Sequence, residues 1–385
     1  MIKTISAFIK AKFQYGGNEI TVPFPITESM LSAKLTELHA PSETSELFLT
    51  EIEFPTELKA LENTFVNIDE LNFLGKRMEG FCEDEDFQLF EAMKLEGFTR
   101  LKDIINLSFN LDKYTLIQNI GDMQKVGVEY TLNAQGSLPT SELNDPKYAD
   151  LGRKLLRSGE GVFTEHGLLF KDRSRPFEEL YDGQVFPAYV YDAGVIAIAE
   201  AKYNGKTEYI YLPCESRAID KALRRLGADS ADHCEISLKD FSTGNSEWLK
   251  RMTELCHREG IYEVNRLAKA VSGANMDYEK LSAVAEYANA ESVKGLIALA
   301  ENLDDFVFIK YAEDYETVGR YFADSDPKYD LNVEMEDFFD YEGFGEYMLE
   351  SNGGEFTPSG FVCMLGGADL YEILDCDEDM TMEDM

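Results

Sequence analysis

The sequence predicts an α+β protein built from two tandem homologous modules, each a small β-sheet followed by a helical region, elongated in outline and strongly acidic at its surface. Three observations carry this. Tyr148, Gly152, Leu156, Ser158, Gly161, Phe163, Thr164 and Gly167 recur without a gap, 193 residues later, as Tyr341, Gly345, Leu349, Ser351, Gly354, Phe356, Thr357 and Gly360. Each half opens with partly alternating, β-branched segments and continues with apolar residues at helical spacing. The 385 residues include 73 acidic and 36 basic ones, a formal net charge of −37.

The self-match runs from end to end. Ile68, Glu70, Asn72, Leu74 and Lys76 return as Ile261, Glu263, Asn265, Leu267 and Lys269. At an offset of 192, Ile105, Leu107, Asn110, Leu111, Asp112, Asp122, Val126 and Gly127 return as Ile297, Leu299, Asn302, Leu303, Asp304, Asp314, Val318 and Gly319, so a one-residue indel separates the blocks. Domain one is placed at residues 1–172, a polar linker with Pro176 and Gly183 at 173–185, domain two at 186–367 and an acidic tail at 368–385. Each copy is long enough to bury its own core.

In order, ISAFIKAKF and VIAIAEAKY read as short strands, each followed by a Gly- or Asn-rich turn and a second strand ending at Pro23 or Pro213. Amphipathic helices are predicted over Thr27 to Leu38, Asp69 to Gly80 and Asp84 to Leu95 in the first copy. In the second they fall at Ser216 to Leu226, Ser246 to Arg258, Ile261 to Val271 and Asp277 to Tyr287. Leu101 to Asn110 and Val293 to Asn302 continue the pattern, and a last helix precedes the repeated GxFTxxG turn in each copy.

Composition excludes several classes. With 44% hydrophobic and 12% aromatic residues the chain packs cores and is not a disordered acidic tail. The six cysteines form no CxxC pair and no charged, apolar leader precedes residue 20, which implies a reducing cytoplasm. The longest apolar run, VFPAYVYDAGVIAIAEA, is broken by Asp192 and too short for a membrane span. An acidic surface is repelled by nucleic acid and anionic lipid and attracts a basic surface.

No catalytic motif stands in the chain: there is no Walker loop, GxSxG elbow, HExxH or zinc-finger spacing. The nearest metal candidates are His233 with Cys234 and Cys256 with His257, which lack counterparts in the first copy; helical Cys256 reads better as core. The terminal DCDEDMTMEDM opens like a calcium loop but lacks its glycine and final bidentate glutamate, so it reads as a solvated tail. Neither a cofactor nor a metal is expected, and the protein is read as no enzyme.

Charge is distributed unevenly. The first copy concentrates acids at Glu79, Glu83, Asp84, Glu85, Asp86, Glu91 and Glu96. The second concentrates them late, at Glu313, Asp314, Glu316, Asp324, Asp326, Asp330, Glu334, Glu336, Asp337, Asp340, Glu342, Glu346 and Glu350. Basic residues stand elsewhere: Arg153, Lys154 and Arg157 late in the first copy, and Arg217, Lys221, Arg224, Arg225, Lys250, Arg251, Arg258, Arg266 and Lys269 early in the second. Any one charged residue is most simply a solvated helix face; the whole acidic surface is read as a partner-binding one.

VGRYFADSDP from Val318, FFDYEGFGEYMLESNGGEFTPSGFV from Phe338, VNIDELNFLGKRM from Val66 and LKDIINLSFNLDKY from Leu101 together resemble the ArdA-type antirestriction proteins of conjugative elements and phages. The DYExxG pattern stands complete as Asp340, Tyr341, Glu342 and Gly345. The resemblance covers most of both copies and implies an acidic, dimeric DNA mimic that occupies the DNA-binding groove of type I restriction–modification enzymes, contacting their specificity and methyltransferase subunits and binding no nucleic acid or membrane itself. The implied mimic surface is Glu313 to Glu350 together with the patch Glu79, Glu83, Asp84, Glu85 and Asp86. At about one phosphate per 1.7 Å of duplex, 37 net charges correspond to roughly 63 Å, or on the order of 18 base pairs.

The chain departs from that family in fusing two modules, which implies a monomeric pseudo-dimer or a homodimer. Its first copy carries TLNAQGSLPTSELNDPKYAD where the acidic late segment belongs, with Lys147 in place of Asp340. A second reading stays open, that of a non-catalytic acidic interaction protein of a mobile element or phage that targets another DNA-binding defence or regulatory protein.

Overall fold

The computed structural model describes residues 4–11, 18–40, 46–82, 84–189, 194–241, 246–273, 276–325, 336, 338–364 and 370–375. It is a mixed α+β protein with small antiparallel sheets, and it divides into two compact units, Met1–Ala193 and Gly194–Met385.

In unit one, β1 (Ile5–Lys10), β2 (Glu19–Phe24), β3 (Glu46–Phe54) and β4 (Thr64–Asn67) form an antiparallel sheet in the order β2-β1-β3-β4. The alternation in β1 puts Ile5, Ala7 and Ile9 on the core face and Ser6, Phe8 and Lys10 on the other. α1 (Glu28–Glu37), α2 (Ile68–Glu79), α3 (Glu85–Glu96) and α4 (Leu101–Ser108) close over this core. α2 starts where Asn67 accepts a hydrogen bond from the Asp69 amide at 2.9 Å, and Gly75 lets it approach Phe24 and Pro25, since a Cβ there would lie 2.8 Å from the Pro25 nitrogen.

A second layer of unit one comprises β5 (Tyr114–Ile117), α5 (Met123–Gln135), α6 (Pro146–Ser158), β6 (Val162–Thr164) and β7 (Gly167–Lys171), with sheet order β5-β7-β6. The segment expected as a linker is part of this unit. Tyr181 is buried, exchanges backbone hydrogen bonds with the Asn106 side chain at 2.8 and 2.9 Å, and donates its hydroxyl to Glu70 at 2.9 Å. Phe186, expected at the start of the second domain, stacks on Phe73 with ring centroids 4.4 Å apart. The division between compact units therefore falls at 193/194, beyond the expected 173–185 linker.

Unit two begins with β8 (Ala197–Tyr203), β9 (Lys206–Leu212) and β10 (Glu235–Phe241) in the order β10-β8-β9, with α7 (Ser216–Leu226) between the last two strands. α8 (Ser246–Glu259), α9 (Ile261–Ala270), α10 (Tyr278–Tyr287) and α11 (Val293–Glu301) follow. The unit ends with β11 (Phe306–Lys310), α12 (Tyr315–Ser325), α13 (Tyr341–Asn352), β12 (Glu355–Thr357) and β13 (Gly360–Met364), sheet order β11-β13-β12, and α14 (Leu370–Asp375). Both units thus contain two sheets where the sequence pattern predicted one. The later strands are three to five residues long, too short for alternation to register. Among the described residues no helix is long and apolar enough to cross a membrane.

Candidate protein-interaction surface

The repeated residues are packing residues. In unit two, a Cβ on Gly319 would lie 1.9 Å from the Tyr341 carbonyl oxygen, and one on Gly345 would lie 1.8 Å from that of Tyr315. The contacts are reciprocal, so α12 and α13 cross backbone to backbone about a local two-fold. In unit one the corresponding distances are 1.9 Å from Gly127 to the Tyr148 oxygen and 2.1 Å from Gly152 to that of Met123. Gly167 and Gly360 have positive φ, +146° and +144°, and a Cβ on them would lie 2.3 and 2.2 Å from the Ile117 and Ile309 carbonyl oxygens. Asn72 brackets the Ile26 backbone at 2.8 and 3.1 Å, and Asn265 brackets that of Cys214 at 2.8 Å on both sides.

Within the DYExxG pattern, Asp340 caps α13 by accepting from the Gly343 amide at 3.0 Å, Tyr341 is buried under Arg320 with the guanidinium 4.2 Å from its ring centroid, and Gly345 makes the helix crossing. Glu342 is left facing solvent. Lys147 does not cost unit one its cap. α6 starts two residues earlier, and Asp145 accepts from the Lys147 amide at 2.9 Å, with Pro146 in the first turn.

Of the expected acidic surface, Glu313, Asp314, Glu316, Asp324, Glu336, Asp340, Glu342, Glu346 and Glu350 are exposed, as are Glu79 and Asp84. Asp326, Asp330, Glu334, Asp337 and Glu83 lie outside the described residues. Glu85 is half-buried and accepts from the Cys82 amide at 2.6 Å at the start of α3. Asp86 requires correction: it is 2% exposed, because the first turn of α3 carries it inward with Leu89 and Phe90, so it is not part of the acidic surface. Two acids of the late segment have local duties. Asp314 accepts from the Thr317 amide at 2.8 Å, and the Thr317 hydroxyl and amide hold its carboxyl below the ordinary range. Glu316 pairs with Arg320 at 2.7 Å.

The helix pair carries a regularity that a search for long repeats passes over. Tyr315, Glu316, Gly319, Tyr321, Asp324 and Ser325 of α12 match Tyr341, Glu342, Gly345, Tyr347, Glu350 and Ser351 of α13 at a spacing of 26. Val318 and Phe322 on one helix and Phe344, Met348 and Leu349 on the other turn towards Ile309, Phe361 and Cys363 of the sheet. The outward face of α13 is then an i, i+4 stripe, Glu342, Glu346 and Glu350, flanked by Tyr347, which is 59% exposed. α12 offers Glu316, Arg320 and Asp324 flanked by Tyr321, 39% exposed. Phe338, just ahead of α13, is 83% exposed.

Unit one keeps the crossing and lacks this face. Glu342, Glu346, Tyr347 and Glu350 correspond to Ala149, Arg153, Lys154 and Arg157, and Tyr321 to Glu129. Residues 306–364 hold 14 acidic and 3 basic residues, whereas residues 114–171 hold 7 and 6. The difference lies in the exposed positions and leaves the packing ones alone.

The metal candidates do not converge. Cys256 is buried with its thiol pushed up to about 11 by desolvation, and His257 Nε2 bonds the Ile236 carbonyl at 3.0 Å. Among the described residues, Glu91, Glu165 and His166 are the one group with metal-ligand proximity. Lys94 lies 3.4 and 3.5 Å from the two glutamates and already supplies the neutralising charge, with His166 Nδ1 2.6 Å from Glu91. The terminal DCDEDMTMEDM lies outside the described residues. Arg225, one of the early basic residues, pairs with buried Glu208 at 2.8 Å and so serves the core of unit two.

A search of curated proteins returns no match. The family model of the antirestriction protein ArdA matches residues 200–363, somewhat under half of the chain and nearly all of unit two up to the end of β13. Residues 200–363, which include the acidic α12–α13 pair, are thus similar to the antirestriction protein ArdA.

Proposed function

We propose that this protein is an antirestriction inhibitor that mimics DNA, occupying the DNA-binding groove of type I restriction–modification enzymes through the α12–α13 face of unit two. The carrying observation is the outward face itself: Glu342, Glu346 and Glu350 recur every four residues on a helix whose other side is fixed by the sheet. Such a stripe rises roughly 6 Å per charge. Duplex DNA places a phosphate every ~3.4 Å along each strand, so the α13 stripe presents about half the density of a strand, and α12, where Arg320 pairs with Glu316, adds Asp324 to it. Lysines and arginines that normally meet phosphate would meet these carboxylates, with fast, salt-sensitive association.

Glu313, Asp314, Asp324, Glu336 and Asp340 extend the surface, with Asp326, Asp330, Glu334 and Asp337 assigned to it by sequence; Glu79, Asp84 and Glu85, with Glu83 assigned by sequence, form a lesser patch in unit one. We further propose that the units are copies of one module, unit one having kept the framework as its surface charge changed. One chain then provides the two modules that other members assemble by dimerising, and light scattering of the purified protein should return a monomer mass.

The test is a competition. A purified type I restriction–modification enzyme is loaded with fluorescent duplex DNA and titrated with the protein, first as wild type and then as Glu342→Gln/Glu346→Gln/Glu350→Gln. Displacement that weakens at least tenfold in the variant and steepens with falling salt is expected. No displacement by the wild type, or an unchanged variant, would sink the proposal and favour a different DNA-binding target.

A further inference from the structure

We propose that the α12–α13 face recognises arginine rather than positive charge in general, with Tyr321 and Tyr347 as the anchors on which partner guanidinium groups stack. The inference rests on the interaction surface proposed above and names the chemistry of the partner that fits it.

Carboxylates alone do not explain this face. A surface that only repels nucleic acid or keeps a protein soluble has no use for exposed rings, yet Tyr321 on α12 and Tyr347 on α13 are 39 and 59% exposed, and Phe338, just ahead of α13, is 83% exposed. Tyrosine is enriched where protein interfaces concentrate their binding energy, because it buries a large rigid ring at little entropic cost. The two tyrosines occupy equivalent places, each five residues after the first glutamate of its helix and each two after the crossing glycine. With the reciprocal contacts of Gly319 and Gly345, the local two-fold relates them. At the corresponding positions of unit one stand Glu129 and Lys154, while Gly127, Tyr148 and Gly152 are retained. The framework does not require the rings.

Charge selects a cationic occupant, and the rings select which cation. A guanidinium is planar, weakly hydrated and able to stack on tyrosine while donating in-plane hydrogen bonds to a carboxylate; an ammonium is a strongly hydrated point charge. The helix pair already contains one such arrangement internally. Arg320 lies 4.2 Å over the Tyr341 ring and donates to Glu316 at 2.7 Å. On the outward face, Tyr347 beside Glu346 and Glu350 offers a similar combination of ring and carboxylate to an incoming side chain.

The experiment uses the full chain and two probes of equal charge, acetylated octa-arginine and octa-lysine peptides, with affinities measured by calorimetry at two salt concentrations. Each stacked ring is expected to favour arginine by roughly two- to fivefold, so the wild type should bind octa-arginine about five- to twentyfold more tightly than octa-lysine. Tyr321→Ala/Tyr347→Ala should bring the ratio close to one by weakening octa-arginine binding more than octa-lysine binding, and Tyr321→Phe/Tyr347→Phe, which keeps the rings, should retain the preference. Glu342→Gln/Glu346→Gln/Glu350→Gln should weaken both peptides and leave the ratio. Equal affinities in the wild type, or a preference that survives the double alanine variant, would overturn the inference. An intact preference alongside failure to displace DNA from the restriction enzyme would support it while overturning the target proposed above.

Discussion

Residues 114–171 and 306–364 share an order of elements, a sheet order and a helix crossing made by one glycine on each helix, yet the outward sides of the two helix pairs differ. In unit two the stripe reads Glu342, Glu346, Glu350 with Tyr347 beside it; in unit one the same positions are Ala149, Arg153, Arg157 and Lys154. The contrast separates two kinds of constraint. Backbone contact at under 2.2 Å from a notional Cβ leaves no room for any side chain, so the glycines persist whatever the surface does. An exposed helix position imposes almost nothing beyond solubility, so its residue reports use. The net charge is divided accordingly: Gly194–Met385 holds 41 acidic and 17 basic residues, Met1–Ala193 32 and 19.

The largest effect should come from breaking the shared framework. Gly345→Ala puts a methyl 1.8 Å from the Tyr315 oxygen, and Gly127→Ala puts one 1.9 Å from that of Tyr148. Each should destabilise its own unit by about 3 kcal/mol or more, since two helices must move apart. Scanning calorimetry should show one transition shifted down by each variant; unchanged transitions would mean the crossings are not as tight as described.

The comparison is sharpened by exchanging faces. Arg153→Glu/Lys154→Tyr/Arg157→Glu writes the unit-two face onto α6, where these side chains are exposed. Stability should change by less than about 1 kcal/mol, while displacement of DNA from the restriction enzyme should improve severalfold with a steeper salt dependence. No gain would show that the α13 face depends on more than its outward residues.

Caps provide a smaller test. Asp340→Ala and Asp145→Ala remove acceptors at 3.0 and 2.9 Å and should each cost about 1 kcal/mol in denaturant titrations. A difference above that between the two would mean that Asp340 does more than cap its helix.

The smallest expected effect is in pH. The Asp314 carboxyl is held below its ordinary 3.8 by Thr317, and that of Glu142 below 4.5 by Lys147. A depressed folded value gives stability that is present above the unfolded pKa and lost as pH falls through the folded one. Asp314→Asn should therefore lower the stability of unit two slightly at neutral pH, flatten its acid limb below about pH 4, and converge with the wild type at the acid end. An identical acid limb in the variant would remove Asp314 from the account.

Part of the candidate site was legible in the sequence because it depends on composition: acids at i, i+4 on an amphipathic helix must face outward, as Glu342, Glu346 and Glu350 do. Asp86 was misplaced for the converse reason. It stands in an acidic run at the start of α3, and only the way that helix docks turns it inward. The exposed tyrosines were missed because an aromatic at helical spacing reads as core until a packed neighbour is found wanting. Segment 173–185 looked like a linker because its polar residues hide what Tyr181 does: it is anchored by Asn106 and Glu70, 75 and 111 residues earlier in the chain.

By itself the sequence determined the α+β class, the internal recurrence, the charge imbalance and a resemblance to the ArdA family over most of both copies, of which a family model matches residues 200–363, since each is a property of residue order or count. Only the tertiary structure decided why the recurrent residues recur, which acids reach solvent and where one compact unit stops. Those depend on contacts between residues distant in the chain, above all the carbonyls of Tyr315 and Tyr341 lying against the glycines of the opposing helix.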